Sequence, residues 1–545
     1  PNSNTAKNLA AQYIYIAYDS FLVILFAVLI ILTRQVILAN LKATSHSFPK
    51  KSPCLRPLAF AKNNPITTIL FATYTIILLH EATWFHGEMM GWMKELFEGS
   101  LLNNFSIRYE FVNETLRRTD YRLFPLAHQD LHILSWFTPY VKVFMLASAA
   151  ELITICVLSA RFIGKITQRK NIPSILLISS LLLLFNASVG NAFFELHFAE
   201  RMVTFLFSIY CLTFLHYQRE RDQASFFLTI LMAILGIFFK DISFILFITP
   251  PAIVIILRML SLWEDDESSP TAQQTPENLK AKWNQFYNRN KLELWLCYLF
   301  LSFATVYIFL SLIPSAYLAS ESYADKSTIS TFNPDIRFWI LILISSIRCA
   351  LILLKRIKAN LLDAINAASI LYAIALYLLI SLEGYSYLYL PFVFASVLNI
   401  LWIWSVISGK LRGRIKQKNI IGALGISGSF LIIGLEHIDI NTSFYGHASR
   451  VHELHNSWED SYKKIDEITR SYFELGREVN LIYSDDSWFS DSRHLNRLRY
   501  HKLIEWNPGS NSFKVKDGIG AKSNIPYTPK QGDLFLNSDR TYDLK

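Results

Sequence analysis

Long uncharged apolar runs, each near the ~20 residues that cross a bilayer as a helix, recur along positions 14–435 and are parted by short polar loops. Placed by that length, they predict spans at approximately 14–38, 65–80, 140–160, 173–191, 201–217, 224–239, 242–258, 291–313, 336–354, 361–380, 388–407 and 419–435. The expected fold class is a polytopic α-helical membrane protein with about 12 transmembrane helices, in a range of about 11–13. The run 224–239 is short for a span, so a tilted, broken or partly re-entrant segment is expected there.

Outside the spans the pattern changes. In the loop 81–139, Met89, Met90, Trp92, Met93, Leu96 and Phe97 return at helical spacing beside Lys94, Glu95 and Glu98. That predicts an amphipathic helix at the membrane interface, with a second at Ile107 to Leu116, together roofing the membrane domain. The loop 259–290 begins acidic and flexible, then predicts a short surface helix from Pro276 to Trp283. After Glu436 the chain turns polar and holds no span. Helical periodicity at Ser457 to Val479 and strand-like runs at 480–483, 513–515 and 533–536 predict a small external α/β domain. The domains expected are thus a transmembrane domain at 1–435 and a soluble domain at 436–545.

Basic residues fix an orientation. The loop 42–62 carries Lys42, Lys50, Lys51, Arg56 and Lys62 without an acid, and further clusters fall at Arg161 to Lys170, at Arg219 and Arg221, at Lys355 to Lys358 and at Lys410 to Lys418. These loops alternate with poorly basic ones, so they are expected in the cytoplasm, with loop 81–139, the turns near Glu195 and Lys240 and the tail on the other side. An even count with an external tail puts the N-terminus outside too. Because the chain opens Pro1-Asn2-Ser3 without an initiator Met, a preceding or non-spanning first segment is expected.

Composition agrees. Hydrophobic residues make 52% of 545 and charged residues 17%, against the ~25% charged usual for soluble chains. The net charge of +9 sits in alternate loops, where retention in the cytoplasm explains it without nucleic acid. Cys54, Cys156, Cys211, Cys297 and Cys349 mostly lie in or beside apolar runs without a close pair, so neither a disulfide framework nor a zinc site is expected.

Ionisable residues at the ends of spans carry the candidate chemistry, since a charge near hydrocarbon has to be paired, solvated or used. The first cluster is His80-Glu81 with His86-Gly87-Glu88. Glu81 or Glu88 could accept a proton from a hydroxyl or hold a divalent metal near a phosphate; ordinary interfacial polarity is the plainer reading. Partial desolvation beside a span is expected to raise the Glu81 pKa and suit it to proton abstraction. The second cluster is Glu195, His197, Glu200 and Arg201, where Glu200 could simply favour a helix N-terminus. The third is Lys240-Asp241, either a self-neutralising pair or a phosphate clamp. A fourth, Arg117-Arg118-Thr119-Asp120-Tyr121-Arg122-Leu123-Phe124-Pro125-Leu126, offers guanidinium forks suited to phosphate on a side that is otherwise poorly basic.

Together these segments resemble the GT-C superfamily of integral membrane glycosyltransferases, especially bacterial enzymes related to lipid A aminoarabinose transferase and protein O-mannosyltransferases. By position, Glu81 or Glu88 resembles their loop carboxylate, Glu195 or Glu200 their second acid, and Phe239-Lys240-Asp241 their basic–acidic pair. Tyr121 to Leu126 is similar to the Arg-x-Phe-Pro stretch of surface-polysaccharide members. The chain departs from the pattern in carrying Glu81 and Glu88 where many relatives have Asp, Asp241 where Glu is commoner, and an extra span before Lys42.

The resemblance implies a multi-pass protein of the bacterial inner membrane with its active site and tail in the periplasm. The implied reaction moves a sugar from a polyprenyl-phosphate donor to a lipid-linked or cell-surface glycan with inversion, in contact with membrane lipids. Glu81, Glu88 or Glu195 would be the catalytic base, and Arg118, Arg122, Lys240, Asp241, Glu200 and His197 would bind the substrate, its phosphate lying against Arg122 or Lys240. No cofactor is required, though a divalent metal could sit at Glu81 or Glu88. A polysaccharide polymerase or ligase would share the external loops, a lipid-linked sugar transporter would show matched halves or broken spans, and a purely structural membrane protein would use none of this chemistry.

Overall fold

The computed structural model describes residues 3–44, 55–85, 89, 121–169, 171–264, 279–318, 335–380, 387–414, 417–440, 443–484, 492–495, 497–518 and 524–536. Among these, eight helices are long and apolar enough to cross a membrane: Lys7–Lys42, Val141–Ile166, Asp241–Met259, Lys291–Leu318, Ile336–Leu353, Leu361–Leu378, Tyr387–Arg412 and Lys418–Glu436. A bent pair, Ile175–Leu184 with Ala187–Phe194, would make a ninth. The chain is therefore a polytopic, mostly α-helical membrane protein with a small C-terminal β-domain. The three remaining expected spans are also helical, but Pro65–His80 and Gln223–Phe239 are shorter, and Ala199–Glu220 carries Glu200, Arg201, Arg219 and Glu220.

The expected span 173–191 is broken rather than continuous, with its two halves meeting at 72°. Asn186 takes up an extended backbone there, and its side chain accepts from the Ser188 N–H at 3.0 Å. That side chain replaces a carbonyl one turn back as partner of an N-terminal amide, so a new helix starts in a new direction. The span Lys291–Leu318 also departs from a plain α-helix, since Ile308–Leu312 is π-helical.

The chain divides into two compact units, one of Pro1–Leu78, Tyr109–Gln129 and Leu146–Ala448, the other of Leu79–Arg108, Asp130–Met145 and Ser449–Lys545. In the larger unit, Ala199–Glu220 and Gln223–Phe239 form a tight helical hairpin, with Ser3–Thr44 packed along the second helix. Asp222 closes the hairpin by accepting from the Ser225 N–H at 2.9 Å. Gly236 lets the Phe247 ring lie where a Cβ would overlap it. Phe244–Met259 packs on Leu361–Ile380, and Leu390–Arg412 runs through the most buried part of the unit. Buried cations here have acidic partners, Arg258 with Glu293 at 3.0 Å and Arg348 with Asp363 at 2.6 Å, as charge removed from water requires.

The second unit holds a five-stranded sheet. Its strands are β1 (Asn480–Ser484), β2 (Lys502–Asn507), β3 (Ser512–Gly518), β4 (Ile525–Pro526) and β5 (Leu534–Leu536), in the order β4-β3-β2-β1-β5. β1 is parallel to β2 and β5, while β2–β3 and β3–β4 are antiparallel. The helix Phe444–Glu474 enters this unit at Ser449, and its Trp458 joins Val479, Leu481, Tyr483, Leu495, Leu498 and Leu503 in one apolar core. Phe85 packs against that core from the loop after Pro65–His80. The expected interfacial helices near 89–97 and 107–116 lie outside the described residues, apart from Met89, which is buried.

Candidate functional site

Three segments singled out in the sequence meet inside the larger unit. The first is the stretch 121–127, held to the end of Gln223–Phe239 by the Leu126 N–H, which donates to the Phe238 carbonyl at 3.0 Å. That bond sets Arg122 beside the turn that follows the helix. There Lys240 breaks the helix with an extended backbone, and Asp241–Ser243 forms a short 3-10 turn.

Arg122 meets Asp241 as a fork, with Nε donating to Oδ2 at 3.2 Å and Nη2 to Oδ1 at 3.0 Å. The Ile242 N–H also donates to Asp241 Oδ1, at 2.9 Å. Lys240 turns the other way and its Nζ pairs with Glu200 Oε1, in the first turn of Ala199–Glu220. The sequence left open whether Lys240 neutralises Asp241; each instead takes a partner from another segment.

Aromatic rings close the cluster. The Arg122 guanidinium lies 4.7 Å from the Phe124 ring centre and Lys240 Nζ 5.9 Å from that of Tyr387, distances at which a cation is drawn to a ring face. Tyr387 stacks on Phe198 at 3.6 Å, and Phe198 touches His197 at 3.9 Å between ring centres. Glu195 Oε2 stands 3.6 Å from His197 Nε2, both side chains buried. Glu195 is itself the residue that ends Ala187–Phe194, the second half of the broken pair. Arg201 is committed elsewhere, to Glu151 at 2.6 Å.

Glu81 belongs to the sheet-bearing unit. It receives His80 Nδ1 at 2.9 Å and His452 Nδ1 at 2.5 Å, and Asn456 Nδ2 lies 2.9 Å from His452 Nε2. The expected upward shift of its pKa is reversed. Burial does raise it, but hydrogen bonds from His452 and His80 and the charges of both rings outweigh burial and hold the carboxyl below its ordinary value. A carboxylate so held is a poorer proton acceptor than an apolar setting would make it. Glu88 and Arg118 lie outside the described residues, as do His86, Arg117 and Asp120. Among the described residues no group of three or more His, Cys, Asp or Glu side chains is arranged to hold a metal ion.

Tyr387, Phe198 and His452 are not marked out by the sequence. A single Tyr at the head of a span or a His in a polar tail carries no periodic signal, and only the fold shows what each touches. No known protein family, curated protein or solved structure matches the chain.

Proposed function

We propose that the chain is a GT-C-type membrane glycosyltransferase with about twelve spans, which moves a sugar from a polyprenyl-phosphate donor to a lipid-linked or cell-surface glycan at the periplasmic face of a bacterial inner membrane. The observation that carries this reading is the meeting of Arg122 from the Arg-x-Phe-Pro stretch with Asp241, beside the Lys240–Glu200 pair. Each cation already holds one carboxylate, so the cluster without substrate is balanced. An arriving phosphate takes over part of that pairing, and the fork of Arg122 suits its oxygens.

The donor is a phosphodiester with one negative charge. When the acceptor oxygen bonds to the anomeric carbon, the bond from that carbon to the phosphate oxygen breaks and polyprenyl phosphate leaves with a second charge. Arg122 and Lys240 stabilise that growing charge. Glu195 takes the proton of the acceptor hydroxyl. It replaces Glu81 as the preferred base because it shares a unit with both cations, whereas the Glu81 carboxyl is held below its ordinary pKa.

The test is donor binding and turnover measured separately on the purified protein. Glu195→Gln is expected to retain polyprenyl-phosphate sugar and fail to transfer it, and Lys240→Ala to lose retention. Wild-type turnover by Glu195→Gln removes the base assignment, and unchanged retention by Lys240→Ala removes the phosphate site.

One observation favours transport of a lipid-linked sugar instead. Broken helices are a common way for transporters to build a site, and Ile175–Leu184 with Ala187–Phe194 is such a break. Movement of labelled lipid-linked sugar across proteoliposome membranes, with no acceptor present and no sugar released, would establish that reading over transfer.

A further inference from the structure

A second group of buried charges in the larger unit plays no part in the transfer chemistry. It surrounds a cavity of about 240 Å³ whose lining includes Asn186, Asp335, Glu436, Asp439 and Phe444. Arg337 stands beside it, fully buried in the first turn of Ile336–Leu353. Its guanidinium pairs through Nε and Nη2 with Glu436, at the end of Lys418–Glu436, and Nη2 also donates to the Leu182 carbonyl at 3.2 Å. Leu182 lies in the last turn of Ile175–Leu184, just before the break. One side chain thus ties together its own helix, the helix ending at Glu436 and the broken pair.

Asp335 is the odd member. It precedes the span and caps it, accepting from the Arg337 N–H at 3.2 Å. The charged or titratable groups that face it are Arg337 from its own helix and Glu436 from the neighbouring one, with Asp439 also lining the cavity and the neutral Asn186 at the break. Two buried carboxylates lie in the field of one guanidinium, which only Glu436 of the two bonds. An unmatched second charge in such a place is relieved most simply by a proton on one of the two.

We propose that Asp335 is a proton-operated latch on the broken helix pair. When protonated it keeps its capping bond and leaves Arg337 to Glu436 and the Leu182 carbonyl. When ionised it draws the guanidinium toward itself through Nη1, which is buried and holds no hydrogen bond, and the tie of Nη2 to Leu182 loosens. Ala187–Phe194, which follows the break and ends at Glu195, is then less firmly held. Burial first, and the Glu436 charge second, lift the Asp335 carboxyl to about 6 against the opposing pull of Arg337. The latch is therefore closed below that pH and released above it. The proposal stands apart from the transfer reading, because it concerns only how the broken pair is held.

Hydrogen–deuterium exchange on the full-length protein in lipid nanodiscs tests it without any substrate. After correction for intrinsic exchange, protection of the amides of 187–194 is expected to fall about tenfold between about pH 5 and pH 7.5, within the range of ordinary coupling energies. Asp335→Asn, which keeps the cap, should hold protection at the low-pH level throughout. Glu436→Gln, which removes the charge that raises Asp335, should move the transition to lower pH. A pH-independent wild type, an Asp335→Asn profile that follows the wild type, or an unmoved transition in Glu436→Gln would each overturn the latch.

Discussion

Replacing Arg122 by Ala would weaken phosphate binding under the proposed function, but it would also strand Asp241, so the single variant cannot separate the two effects. Asp241 would keep the Ile242 N–H and lose both guanidinium bonds. Breaking a buried pair from one side typically costs about 3–5 kcal/mol, and the pair is largely buried, with side-chain exposures of 21% and 11%. Asp241→Asn removes the stranded charge, so the double variant Arg122→Ala/Asp241→Asn should recover about 2 kcal/mol of that loss, the usual size of a charge-assisted hydrogen bond. Binding should behave differently. A phosphate contact worth about 1.5–3 kcal/mol is roughly a tenfold to hundredfold change in affinity, and no change at Asp241 can restore it. The assay is a thermal melt and polyprenyl-phosphate retention on the wild type, both single variants and the double. Stability should return in the double variant while retention stays low, and Asp241→Asn alone should retain the lipid. If the double variant binds polyprenyl phosphate like the wild type, Arg122 serves only to neutralise Asp241, and its place in the phosphate site is wrong.

Gly236→Ala should lower stability by about 1–3 kcal/mol, because the new methyl meets the Phe247 ring; a melt unchanged from wild type would show that the ring has room to move. Arg201→Ala should be more damaging, by about 3–5 kcal/mol, since it leaves Glu151 without the partner 2.6 Å away; Glu151→Gln in the same chain should restore part of the loss, and no restoration would count against the pairing. The depressed pKa of Glu81 gives stability that is present above the carboxyl's unfolded pKa and lost as pH falls through its lower folded value. Acid melts of wild type and Glu81→Gln should therefore converge at low pH, and a constant gap would refute the linkage. Cysteines placed at Arg412 and at Lys514 should react with an impermeant reagent from opposite sides of the membrane; labelling of both from one side would end the proposed orientation.

Helices were legible because a span must satisfy its own backbone and face lipid, and both demands appear as uncharged length. Eleven of the twelve expected runs coincide with single helices, including 419–435, which the structure extends only to Lys418–Glu436, and the twelfth, 173–191, falls on the bent pair. The break at Asn186 was harder to see. No Pro or Gly marks it, and an Asn inside an apolar run becomes a cap only once its side chain finds the Ser188 N–H. In the tail, β1, β3 and β5 fall on the apolar runs read as strands, whereas β2, with Lys502, Glu505 and Asn507 among six residues, was hidden by its polarity. Arg337 lies inside an expected span, and nothing in the sequence joins it to Glu436, 99 residues away. The expected site fared unevenly for a related reason. Residue type picked out Arg122, Lys240, Asp241, Glu195 and Glu200, but which acid meets which base depends on contacts across more than a hundred residues of chain, as between Arg122 and Asp241.

The π-helical segment Ile308–Leu312 bears on how this chain can change length. A π turn closes each hydrogen bond one residue further along than an α turn does, so it holds one residue in excess while the helical stretches on either side keep their facing. A single residue can therefore be lost at 308–312, the turn reverting to α, without turning the outward faces of Lys291–Tyr307 and Ile313–Leu318 toward the interior. Elsewhere in a span the same change would rotate every later side chain by about 100°, the angle set by 3.6 residues per turn, so one-residue deletions should collect at this turn.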